Sequence, residues 1–121
     1  MKKVLVVDDD PDFVQLMCEF LSNGGYASCA AGDGEEAMDV FQKEKPDIVL
    51  TDIKMPSKDG FEFIADVKNL DPAVPIIAIS GAGIKDYQSR AKALKVNFTL
   101  VKPLEERDLN TVVDFCAEYY T

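Results

Sequence analysis

Short apolar runs alternate with amphipathic stretches along the whole chain. Val4-Leu5-Val6-Val7 is an unbroken apolar run of strand length, closed abruptly by Asp8-Asp9-Asp10. Asp10 suits the cap of a helix beginning at Pro11, because proline tolerates the first helical position. Phe13, Leu16, Met17, Phe20 and Leu21 then fall on one helical face, and Gly24-Gly25 ends the helix. Tyr26–Ala31 follows as a weakly patterned strand. Asp33 caps a second helix carrying Ala37, Met38 and Phe41, which stops near Pro46. Ile48-Val49-Leu50 is another buried strand and ends in a carboxylate at Asp52. Gly60 opens a third helix with Phe61, Ile64, Val67 and Leu70 along it. Ile76–Ile79, after Pro75, leads to Ser80. A weaker helix over roughly Asp86–Leu94, a strand Phe98–Val101 and a helix from about Glu105 to Tyr119 complete the pattern.

Five strands alternating with five helices, with continuous apolar runs in most strands, predict a parallel sheet covered on both faces. No linker, repeat or low-complexity segment interrupts it, so residues 1–121 are expected to form one α/β domain.

Composition narrows the chemistry. Thirteen basic against 22 acidic residues give a formal charge of −9, which disfavours direct nucleic-acid binding and anionic membranes. Histidine is absent, which excludes histidine metal sites, Ser–His or Cys–His catalysis and a phosphohistidine carrier. Cys18, Cys29 and Cys116 are scattered and form no C-x-x-C pair, as expected of reduced core thiols. Met1-Lys2-Lys3 leads into an apolar run too short for a signal peptide, and no stretch has the length of a membrane span. The chain is expected to be soluble and cytoplasmic.

In open α/β sheets the ligand site lies beyond the carboxyl ends of the strands. Asp8 and Asp9, Asp52, Ser80 and Lys102 occupy those ends after the first, third, fourth and fifth strands. Three crowded carboxylates repel one another unless a divalent cation sits among them, and oxygen-only ligands favour Mg2+ over zinc. A carboxylate beside Mg2+ can attack a phosphoryl group, whose charged oxygens the metal, the Lys102 ammonium and the Ser80 hydroxyl would neutralise.

The runs V-L-V-V-D-D-D, L-T-D-I-K-M-P-S-K-D-G, I-I-A-I-S-G and L-V-K-P-L, in this order and at these separations, resemble the markers of response-regulator receiver domains. The resemblance covers essentially the whole chain. It implies a flavodoxin-like, doubly wound sheet of strand order 2-1-3-4-5. It assigns Asp52 as phosphoacceptor, Asp9 as direct and Asp8 as water-mediated Mg2+ ligand, and the Lys54 carbonyl as a further ligand. Ser80 becomes the switch hydroxyl and Lys102 the phosphate-contacting lysine, followed by a cis proline, Pro103. Implied partners are a sensor histidine kinase or phosphotransfer protein that donates the phosphoryl group, and a downstream effector or fused output domain. That partner would read changes around the fourth helix, fifth strand and fifth helix. Such a chain is a switch that assists its own phosphorylation and dephosphorylation, not a conventional enzyme. It would be a monomer or a phosphorylation-dependent homodimer, either stand-alone or cut from a longer protein.

Three other readings fit less well. A haloacid-dehalogenase-like phosphatase shares the D-x-D pattern, but Asp12 stands where that family places Thr or Val. A flavin-binding module needs a Ser/Thr/Gly-rich phosphate loop where this chain has acids. A degenerate receiver acting only as a protein-binding module would not be expected to keep all five site residues. One departure stands out: the family usually carries Tyr or Phe three positions before the lysine, and here that switch position is Thr99, with Phe98 one residue earlier. Strand alternation puts the two on opposite faces, so movement of the Gly81-Ala82-Gly83 loop is the expected main output. Removing Asp8 or Asp9 is expected to relieve repulsion and stabilise the metal-free protein, and losing Asp9 to weaken Mg2+ binding more.

Overall fold

A computed structural model describes residues 1–55, 59–81 and 87–121 of the chain, with side chains omitted at 87 and 88. The elements alternate as β1 (Lys3–Val7), α1 (Pro11–Asn23), β2 (Ala27–Ala31), α2 (Gly34–Glu44), β3 (Ile48–Asp52), α3 (Gly60–Leu70), β4 (Ile76–Ser80), α4 (Tyr87–Ala93), β5 (Phe98–Val101) and α5 (Glu106–Tyr119). The strands pair in parallel in the order β2-β1-β3-β4-β5, the doubly wound topology the resemblance implies. The expected start of the fourth helix at Asp86 lies outside the described residues.

Helices α1, α2 and α3 begin where a side chain satisfies their free amides, whereas Glu105 before α5 makes no such bond. Asp10 accepts from the amides of Asp12 and Phe13, Asp33 from Glu36, and Asp59 from Glu62. The first helix ends at Gly24, and Gly25 turns the chain at φ +90°, a region L side chains rarely adopt. The second ends on Lys45 in the left-handed region, φ 49°, directly before Pro46.

Alternation along the strands splits the core into two layers. Val4, Val6, Ile48, Leu50, Ile77 and Ile79 face α1 and α5, whose Met17, Leu21, Leu109, Val113 and Cys116 are buried against them. Leu5, Val7, Val49, Ile76 and Ala78 face α2, α3 and α4, meeting Ala37, Phe41, Phe63, Ile64, Val67 and Ala91. Two residues assigned to core stripes are not core: Leu16 and Leu70 are exposed. Leu16 stands one residue before the buried Met17, on the flank of the helix, and Leu70 is the last helical residue of α3, beyond the sheet's reach.

One glycine is dictated by close approach. A Cβ on Gly60 would lie 2.1 Å from the Asp52 carbonyl oxygen and 2.4 Å from the Ile53 Cα. Its amide donates to the Ile53 carbonyl at 2.9 Å. The amino end of α3 is thus pressed against the end of β3, which only a residue without a side chain permits.

Candidate functional site

The strand ends converge as the sequence predicts. Asp8 follows β1 with its amide donating to the Ala31 carbonyl at 3.2 Å, so the β2 edge holds its backbone. Its side chain is buried: Oδ1 accepts from the Asp10 amide at 2.9 Å and Oδ2 meets the Lys102 Nζ at 2.8 Å. Asp52, the last residue of β3, is also buried; Oδ1 accepts from the Lys54 amide at 3.2 Å and Oδ2 lies 3.3 Å from the same ammonium. Asp9 is exposed, yet a carboxylate oxygen from each of Asp8, Asp9 and Asp52 lies within 4.8 Å of the other two.

Lys102 enters from the neighbouring strand. Its amide donates to the Ser80 carbonyl at 2.8 Å, which ties the buried Ser80 backbone to the lysine. The Lys102–Pro103 peptide is cis, as the resemblance implies. The ammonium rests over the Phe13 ring, 4.2 Å from its centroid.

The electrostatics follow from burial and crowding. Burial pushes the Asp52 carboxyl above its ordinary value and the Asp8 charge adds to this, while the Lys54 amide and the Lys102 ammonium pull it down. Burial acts to lower the Lys102 pKa, but the bond to Asp8 and the charges of Asp52 and Asp8 raise it on balance. Two of the three clustered carboxylates, Asp8 and Asp52, share one ammonium, and every side-chain metal donor in the set is oxygen. That donor set fits a hard divalent cation such as Mg2+.

Of the remaining assigned residues, Lys54 borders this cluster through its backbone and Thr99 stands apart from it. The Lys54 side chain is exposed, and its amide rather than its ammonium touches Asp52. Thr99 lies further back along β5, opposite Ala78, on the side of the sheet that faces α4. Phe98 is on the other face, edge-on to Phe115 of α5 with centroids 5.4 Å apart and planes at 83°. Of the expected output loop only Gly81 is described; Ala82 and Gly83 lie outside the described residues, as does Pro56 of the loop after the acceptor.

Phe13 was legible only as a core position. The signal that could have singled it out is its place four residues after Asp9, in the first turn of a helix leaving the acidic edge.

The receiver-domain profile, "Response regulator receiver domain", matches residues 4–114. The chain is 31% identical over 118 residues to sporulation initiation phosphotransferase F of Bacillus subtilis, covering 98% of this chain and 93% of that protein. It is 36% identical over 110 residues to the probable transcriptional regulator ycf27 of Guillardia theta, covering 89% of this chain but 42% of that protein. It likewise spans only 47% of the alkaline phosphatase synthesis regulator PhoP of Bacillus subtilis. Among solved structures, chemotaxis protein CheY4 of Vibrio cholerae superposes with a TM-score of 0.89 at 31% identity, covering 95% of this chain and 98% of that one. A receiver-domain protein of Clostridium thermocellum superposes with a TM-score of 0.92 at 26% identity, covering 98% and 95%. No described helix is long and apolar enough to cross a membrane.

Proposed function

The chain belongs to the receiver-domain family of two-component response regulators, and from that premise we propose that Asp52 is its phosphoacceptor, in a Mg2+-dependent reaction. The observation that carries this reading is the buried Asp52 carboxylate, gathered with Asp8 and Asp9 within 4.8 Å and sharing the Lys102 ammonium with Asp8. Asp8, Asp9, Asp52 and the Lys54 carbonyl are the groups that would hold the cation. When bound, Mg2+ supplies charge neutralisation for the transferring phosphoryl oxygens.

The chain's own groups then divide the work. An Asp52 carboxylate oxygen attacks phosphorus, a P–O bond forms, and the P–N bond to a donor histidine breaks as the nitrogen keeps the electron pair. With a small acyl phosphate the P–O bond to the carboxylate leaving group breaks instead. Lys102 moves its hydrogen bond from a carboxylate to a phosphoryl oxygen, and the Ser80 hydroxyl donates to another. The donor is a sensor histidine kinase or phosphotransfer protein. The rearranged Ser80 and Lys102 then change the surface of α4, β5 and α5 for an effector or output domain.

Incubation with Mg2+ and acetyl phosphate should add one phosphoryl group by intact mass, and Asp52→Asn should remove both that mass and the product of borohydride trapping. Equal labelling of the Asn protein would show that the acceptor lies elsewhere.

A further inference from the structure

We propose that Phe13 is a positioning residue for Lys102: its ring face holds the ammonium in the carboxylate pocket and thereby sets the rate of phosphoryl uptake. The proposal rests on the reading of Asp52 as phosphoacceptor. A cation within roughly 6 Å of an aromatic centroid is attracted by the ring quadrupole. The Lys102 Nζ stands 4.2 Å above the Phe13 ring while bonded to Asp8 at 2.8 Å and Asp52 at 3.3 Å.

The ring is itself fixed by the acidic turn. Asp8 binds the Asp10 amide, and the Asp10 carboxylate caps α1 by accepting from the amides of Asp12 at 3.0 Å and Phe13 at 3.4 Å. The contacts therefore form a closed circuit from Asp8 through Asp10 and Phe13 to Lys102 and back to Asp8. Phe13 and Lys102 together border a cavity of about 480 Å3 that Leu16, Gly81, Pro103 and Leu104 also line, and loss of the ring would enlarge it beside the lysine. A four-carbon stem with free rotamers would swing into it. A ring suits this task better than another carboxylate would. It attracts the ammonium but carries no net charge, so it does not outbid an incoming phosphoryl oxygen.

Two measurements on the intact chain test this. The rate of labelling by acetyl phosphate at fixed Mg2+ should fall about three- to tenfold in Phe13→Leu and stay within about twofold in Phe13→Tyr. Site-specific replacement of Phe13 by phenylalanines carrying one, two and three ring fluorines keeps the shape and drains the ring face, so the rate should fall in step. The ring series should lose its effect in a Lys102→Met background, where residual labelling is followed over longer times. Separately, proton NMR of the metal-free protein should show the Lys102 ε-methylene shifted upfield by the ring current, and Phe13→Leu should abolish the shift. A flat fluorine series in a protein that labels normally, or an unshifted ε-methylene, overturns the proposal. Absence of labelling in the wild type would instead overturn the assignment of Asp52, and the ε-methylene shift would still judge whether the ring holds the lysine.

Discussion

The two halves of the sheet are built differently. Every position of β3 and β4, and all of β1 after Lys3, is buried, whereas β5 is half-buried along Phe98–Leu100 and exposed at Val101. Asp8, Asp52 and Ser80 leave the enclosed strands; Lys102 and Thr99 belong to the edge. Groups that hold a fixed geometry thus stand on strands locked between two layers, where packing tolerates little displacement. The lysine, which changes hydrogen-bond partner in the proposed reaction, directly follows an edge strand with no buried position. Low local burial is where conformational change is least costly.

The most direct way to break the enclosed half leaves every site side chain intact. Gly60→Ala places a methyl group against the backbone of Asp52 and Ile53, so α3 has to lift from β3 and lose the Gly60–Ile53 bond. We expect a loss of roughly 4 kcal/mol in urea unfolding and impaired phosphoryl uptake. Wild-type stability would show that the end of β3 yields more easily than its burial implies.

A matched pair sharpens the contrast between the halves. Leu50 of β3 is fully buried and Leu100 of β5 only partly so. Leu50→Ala should cost about 3–4 kcal/mol and Leu100→Ala about half as much, read from denaturation midpoints. Equal losses would remove the distinction.

Within the site itself, the structure separates two acids that repulsion alone treats alike. Asp8 is buried and bonded to Lys102 and the Asp10 amide, so Asp8→Ala should destabilise the metal-free protein by about 2 kcal/mol. Asp9 is exposed within the same acidic cluster, and Asp9→Ala should stabilise it by about 0.5 kcal/mol while weakening Mg2+ binding. Calorimetry without metal and a Mg2+ titration check both signs. The expectation of a gain from either substitution thus survives only for Asp9.

A pH-dependent effect of similarly small size lies in the layer beneath the sheet, where burial pushes the Cys116 thiol from 9.0 up to about 11. The unfolded thiol ionises first as pH rises, so this contribution is complete below about pH 9 and is lost as pH climbs toward 11. Stability should fall by about 1 kcal/mol between pH 9 and 10, with a shallower slope in Cys116→Ala. Parallel slopes would show that the thiol does not titrate differently in the two states.

Much of this molecule was legible in its residues. Val4–Val7, Ile48–Leu50 and Ile76–Ile79 are unbroken apolar runs with carboxylates or a serine at their ends, and such runs have few alternatives to buried parallel strands. The caps at Asp10 and Asp33 were readable because capping acts within a few residues. Leu16 and Leu70 misled, since a helical stripe reports only which face is apolar and not where the neighbouring layer ends.

Sequence pattern determined the element order, the acidic edge and the opposite faces of Phe98 and Thr99, because all three depend on spacings of a few residues. Tertiary structure alone decided that Asp8 rather than Asp9 binds Lys102, that Gly60 touches the backbone of Asp52, and that Phe13 lies under the ammonium. The Lys102 contacts join residues that strand order and register bring together from distant parts of the chain, and the Gly60 contact depends on how α3 packs back onto the end of β3. Their distances are set by how two packed layers settle against one sheet, a property that no local periodicity encodes.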